Sequence, residues 1–308
     1  MRKGFFSSII IFCLFLITFT YRDNISNFLM QKIGQMTEVS LPSANSFYNN
    51  ISFEFVKKTD DFHVKNYQNM LDAIYTILDN GTDEFSFYCD ESYSNCLDDF
   101  DKVSKDQVLL STINNLVSPY NSYKKVYFQV SSFGKITMRS EKLYSDNDIK
   151  MTEDKINDFI SKNINDDMTI VDKIRAFHDY LINNSVYDKE SASIIENGGN
   201  TDFTNSHKAT GPLIYGSSLC SGYSDAMKIY LDKLNVTNYK ISNTRHIWNL
   251  VYVNDKWLHL DLTWDDPITS NGDNVLLHNF FLIDTDALLK LDSTEHSFNP
   301  DYYPEISH

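Results

Sequence analysis

From His246 to Thr263 the chain reads as two alternating segments around Asn254-Asp255, and no other stretch constrains the fold as tightly. The segments His246-Ile247-Trp248-Asn249-Leu250-Val251-Tyr252-Val253 and Lys256-Trp257-Leu258-His259-Leu260-Asp261-Leu262-Thr263 are rich in β-branched and aromatic residues. Asn-Asp suits the two-residue turn of an antiparallel hairpin. That turn sets the register: Val253 opposes Lys256, Trp248 opposes Asp261, and His246 opposes Thr263. With period two, His246, Trp248, Asp261 and Thr263 share one face. His246 and Asp261 are then diagonal neighbours with Cβ atoms about 7 Å apart, within reach of an imidazole–carboxylate hydrogen bond. A base held by an orienting carboxylate has this geometry. His259 lies on the same face, so register leaves two histidines. Ordinary polar residues on a half-exposed strand fit the same pattern.

Upstream, Ser217-Ser218 precede a helical pattern of Tyr223, Ala226, Met227, Tyr230, Leu231 and Leu234. Either serine suits the N-cap. Cys220 then falls in the first turn, where free backbone N–H groups and the positive end of the macrodipole favour a thiolate. Gly222 keeps the approach to the thiol uncrowded. A buried cysteine that merely starts a helix also fits.

The other end of the chain is a separate object. Arg2 and Lys3 precede an apolar run over 5–21, followed by Arg22, and no small-residue cleavage site follows. Residues 1–22 read as a signal anchor, or a signal peptide if cleaved. The expected placement is a single-pass membrane protein with its C-terminal part outside the cell, or a secreted one. With 42 acidic against 27 basic residues the charge is −15, which excludes a phosphate-binding nucleic-acid protein. Cys89 and Cys96 are close enough to pair in an oxidising exterior.

Residues 23–50 read as a stalk or lead-in, 51–148 as a small α+β domain, and 149–308 as a second domain. In the first domain the spacing predicts a helix over 66–80, a strand over 85–88, a helix over 108–117 and a hairpin of 125–130 with 135–139 around Ser132-Phe133-Gly134. In the second, a helix capped by Thr152 is followed by one over 170–184, with His178 on its core face, then a loop over 190–205. A strand over 280–283 and a short helix from Asp284 or Thr285 follow the hairpin.

The segments Cys220-Ser221-Gly222-Tyr223, His246-Ile247-Trp248-Asn249 and Asp261-Leu262-Thr263-Trp264-Asp265-Asp266-Pro267 together resemble the transglutaminase-like (transglutaminase-core) superfamily, in particular an exported bacterial branch. Phe177-His178-Asp179-Tyr180-Leu181 and Ala209-Thr210-Gly211-Pro212-Leu213 fit more loosely. The resemblance implies an α+β, papain-like core with the nucleophile helix packed on an antiparallel sheet. It implies Cys220 as nucleophile, His246 as base and Asp261 as its orienter, leaving His259 structural. It places Gly222 and Tyr223 beside the acyl pocket. Thr210, Pro212 and Leu219 depart from the common family residues beside this helix.

The backbone N–H of Cys220 is one expected oxyanion donor. Trp248, Tyr215 and His207 are the alternatives for a second. Calcium supports some animal transglutaminases, but Asp265-Asp266 before Pro267 read as a turn cap without a calcium-loop pattern, so no metal and no cofactor are expected. The expected activity is acyl transfer from protein or peptide amides at the cell surface through a Cys220 thioester, with hydrolysis placed ahead of cross-linking. A catalytically silent surface binding module is the alternative.

Overall fold

A computed structural model describes residues 62–197, 199, 204–267, 275–299 and 302–303. The apolar run over 5–21 and the lead-in over 23–50 lie outside these residues. Among the described residues no helix is long and apolar enough to cross a membrane.

The chain first builds β1 (His63–Val64), α1 (Tyr67–Asp79), β2 (Glu84–Cys89), α2 (Cys96–Lys105), α3 (Gln107–Leu116), β3 (Tyr123–Val130) and β4 (Lys135–Lys142). The strands form a sheet in the order β1-β2-β4-β3. Local chemistry explains the boundaries. Asn66 caps α1 by accepting the Asn69 N–H, and Asp106 caps α3 by accepting that of Leu109. Gly134 takes the left-handed conformation that closes the β3–β4 turn. Helix α2 was not expected from sequence, because within it only Cys96, Phe100 and Val103 are buried, too few for a clear apolar stripe. A Cys89–Cys96 disulfide ties its first residue to the end of β2.

Next come α4 (Asp146–Asn163), α5 (Ile170–Asn183), β5 (Val186–Tyr187), α6 (Lys189–Glu196), β6 (Ser217–Ser218) and α7 (Cys220–Lys233). Then follow β7 (Asn238–Ser242), β8 (Ile247–Val253), β9 (Lys256–Leu260), α8 (Leu262–Asp265), β10 (Phe281–Ile283) and α9 (Thr285–Leu291). The second sheet runs β10-β9-β8-β7, antiparallel throughout. The whole is a mixed α+β fold.

The expected hairpin is present in the expected register, with Val253 opposite Lys256 and Asn249 opposite Leu260, and Asn254 and Asp255 both at positive φ. Four local expectations need correction. Helix α4 begins at Asp146, where Ser145 and Asp148 form a capping box, and Thr152 is buried within it. Much of the expected loop over 190–205 is α6, capped by Asp188. The strand does not continue through Thr263, because the Asp261 carboxylate accepts the N–H groups of Thr263 and Trp264 and starts α8. Neither Ser217 nor Ser218 caps α7. They form β6, parallel to β5, and Leu219 occupies the N-cap with no side-chain bond.

The second sheet has two different faces. Tyr239, Ile241, Trp248 and Leu250 share one core with Phe87, Ile113 and Met138 of the preceding unit. The alternate residues face α7 and carry buried polar links. Lys240 Nζ bonds Asp225 at 2.6 Å, Asn238 Nδ2 bonds Asp232 at 2.8 Å, and Asn249 Nδ2 bonds the Ser224 carbonyl at 2.9 Å. Apolar burial acts on both sides, since Val251 and Leu260 pack with Ala226, Met227 and Tyr230 of α7, and the directional bonds add to it on that side.

Candidate active site

Cys220 is the first residue of α7, half-buried, and no side chain caps the helix end beside it. The free first-turn N–H groups therefore face whatever charge develops at the sulfur or on a bound carbonyl. Gly222 is needed for a different reason from the expected one. A Cβ there would lie 2.4 Å from the Ser206 carbonyl oxygen and 2.6 Å from Ser218 Oγ. The glycine lets the start of α7 press against the turn over 205–207 rather than opening the path to the thiol.

His246 stands just before β8, buried and stacked on Trp248 with ring centroids 5.5 Å apart. Its Nε2 donates to Asp261 Oδ2 at 2.5 Å, and Cys220 lies near enough to the same ring to act on its charge. With Nε2 engaged by Asp261, Nδ1 is the ring nitrogen left for the sulfur. Burial pulls the His246 pKa down, but the Asp261 charge, its hydrogen bond and the Cys220 contacts outweigh this and raise it to about 10. Burial would raise Asp261, yet the charge of His246 and the hydrogen bonds from His246 and His296 hold it well below the usual carboxylate range.

His296 is the member that sequence reading missed. It is fully buried, and its Nε2 donates to Asp261 Oδ2 at 2.8 Å while its Nδ1 meets Asp292 Oδ2 at 3.0 Å. Phe280 stacks on its ring, and Trp264 and Trp248 pack around it. Asp261 Oδ1 takes the N–H groups of Thr263 at 2.8 Å and Trp264 at 3.4 Å. Both oxygens of Asp261 are thus filled from two sides. No local signal marks His296, which lies outside helix and strand in a stretch joined to the site only by tertiary packing.

The other expected residues separate. Trp248 gives its single N–H to His259 Nδ1 at 3.0 Å, so it has no donor left for an oxyanion. His259 passes its own proton to Thr285 Oγ1 at 3.1 Å; burial and the His296 charge lower its pKa to about 3, as befits a structural neutral imidazole. Tyr223 is buried, its hydroxyl bonded to Ser185 and to Asp266 at 2.7 Å each, so it braces the site rather than lining it. His207 accepts the Thr204 N–H at 3.2 Å, and burial lowers its pKa. Tyr215 lies exposed in the wide turn over 211–215. Tyr187 was not singled out from sequence. Burial and the nearby Cys220 charge push its phenol above the usual range, so it stays protonated close to the thiol.

Asp265 and Asp266 do not fit a calcium ion. Asp265 takes the Phe280 N–H at 3.0 Å and meets His178 Nε2 at 3.2 Å, and Asp266 takes the Tyr223 hydroxyl. Both are internal ties of the fold.

Neither a family profile nor a curated protein matches the chain. Among solved structures, the crystal structure of a TGase is 17% identical over 49% of this chain and 46% of that one, with a TM-score of 0.36. The structure of a candidate cysteine protease from Cytophaga hutchinsonii is 12% identical over 45% of this chain and 61% of that one, with a TM-score of 0.28. The chain covers less than two thirds of either neighbour. Both likenesses are distant, and the chemistry is read from the side chains around Cys220.

Proposed function

We propose that the chain is a cysteine-dependent acyl-transfer enzyme of the transglutaminase-like kind, acting on protein or peptide amides outside the cell. One observation carries this reading. The His246 ring, close enough to Cys220 at the uncapped start of a helix for the two charges to act on each other, is bonded to a buried carboxylate whose two oxygens are both filled. In the proposed cycle His246 already holds the proton given up by Cys220, and the Cys220 thiolate attacks the amide carbonyl carbon. The oxyanion forms against the first-turn N–H groups of α7. His246 returns the proton to the leaving amine as the carbon–nitrogen bond breaks, leaving a thioester. Water then attacks that thioester with His246 as base, releasing acid and thiol.

Hydrolysis is placed ahead of amine transfer because Cys220 is half-buried rather than enclosed, and Val186 and Tyr215 stand exposed on the segments that lead to it. Water reaches such a thioester without a dedicated site, whereas an amine needs one. The Cys89–Cys96 disulfide supports an oxidising compartment. Export and membrane attachment through residues 5–21 belong to the same proposal.

The test is the pH dependence of iodoacetamide labelling of Cys220 in the full-length chain, beside His246→Ala and Asp261→Asn. Fast labelling at mildly acidic pH, lost in His246→Ala, is the expected result. Labelling only in the range of an ordinary thiol, unchanged by either substitution, would replace the enzyme with a catalytically silent surface module.

A further inference from the structure

His178, Asp179 and His278 form a second concentration of metal-type donors among the described residues, with one ligand atom from each within 4.8 Å of the others. His178 Nδ1 lies 2.9 Å from Asp179 Oδ1, and His278 Nε2 lies 2.7 Å from that same oxygen. Behind the His178 ring, Nε2 meets Asp265 Oδ2 at 3.2 Å, with both side chains fully buried. A carboxylate only accepts, so Nε2 carries the ring proton. In the neutral ring, Nδ1 is then a lone pair aimed at another acceptor. A proton on either group satisfies this contact, and so does a cation placed between them.

We infer that His178 Nδ1, Asp179 and His278 Nε2 form a binding site for a divalent transition-metal ion of the zinc type. Two imidazoles and one carboxylate make the donor set of an open zinc site, and they disfavour calcium and magnesium, which take oxygen. Asp265 occupies the outer position that fixes the tautomer of a ligating histidine. Tetrahedral zinc needs ligand atoms about 3.3 Å apart, so the three must open slightly. Asp179 and His278 are 31% and 34% exposed, which gives them that freedom and leaves a path for the ion.

The cluster of His246, Asp261 and His296 is a poorer host. It is buried throughout, and both Asp261 oxygens already accept two N–H groups each. A zinc ion at His178 would fasten α5 to the entry of β10. Through Asp265 it would also steady α8, whose Asp265 N–H bonds the Asp261 carbonyl at 3.3 Å. This inference stands apart from the thiol chemistry.

The test titrates Zn2+ alone into the metal-free full-length chain, reading bound metal by equilibrium dialysis and stability by thermal melting. Co2+ is added separately for its visible spectrum. One equivalent of zinc, a raised melting temperature, and an affinity reduced about ten-fold or more in His278→Gln and in Asp179→Asn are expected. Circular dichroism checks that both variants fold; if His278→Gln does not, Asp179→Asn alone decides. Zinc binding that survives these substitutions and is lost in Cys220→Ala would overturn the assignment. So would no binding and no shift in melting, which would leave the cluster as internal ties of the fold.

Discussion

His246 and His296 donate to the same oxygen, Asp261 Oδ2, at 2.5 and 2.8 Å. One ring lies near enough to Cys220 to exchange electrostatic influence with it, and the other is locked in the interior between Asp261 and Asp292. The carboxylate that holds His246 is therefore itself held, by a fully buried side chain. His296→Leu should slow Cys220 labelling at neutral pH about ten-fold. With one donor gone, Asp261 becomes a stronger partner for His246, so the alkaline limb of the pH–labelling profile should move upward. A loss of rate at every pH with an unmoved limb would mean that His296 only fills space.

The same contacts give the stability a pH signature. His246, raised to about 10, contributes stability that is complete below its ordinary value of about 6.5 and lost as pH rises through about 10. Asp261, held low, contributes above its ordinary value and loses that contribution as pH falls. Thermal melts of the wild type should therefore decline from about pH 7 toward pH 10. In Asp261→Asn the burial of His246 is no longer opposed by the anion, so this alkaline decline should disappear, and neutral-pH labelling of Cys220 should fall with it.

Gly222→Ala should lower stability by about 1–3 kcal/mol, because the added methyl meets the Ser206 carbonyl in a packed interface. The start of α7 would have to lift away from the turn over 205–207. Cys220 labelling should slow as well, which chemical denaturation and labelling on one sample would show.

Lys240 and Asp225 are an ion pair whose side chains are 4% and 2% exposed. Asp225 also accepts the Tyr144 hydroxyl, which in turn accepts the Ala209 N–H. Lys240→Met leaves a buried carboxylate without its cation and should cost about 3–5 kcal/mol. Lys240→Met with Asp225→Asn removes that charge and should recover a good part of the loss. Urea denaturation of the single and double variants compares them directly.

What could be read ahead of the structure follows the range of the forces involved. The hairpin register was legible because period two and a two-residue turn are local, and the diagonal from His246 to Asp261 came with it. The place of Cys220 in its helix was legible from the spacing after Ser218. Helices α2 and α6 bury few side chains and leave a faint pattern. His296 and Tyr187 reach the site from distant parts of the chain, and no periodicity announces such a meeting. Trp248, one of three alternatives for a second oxyanion donor, gives its N–H to its own hairpin neighbour, His259, a contact that only the folded side chains reveal.

The apolar face of β7 and β8 rests on the unit formed by residues 62–142, and Asn115 Nδ2 bonds Ser242 Oγ at 2.6 Å across that contact. The half of the chain that bears Cys220 is therefore not a cassette that can be moved by itself. Transplanted alone, it would present Tyr239, Ile241, Trp248 and Leu250 to water, an invitation to aggregate. Inheritance should have treated the two halves as one unit, and any useful graft onto another protein must carry both.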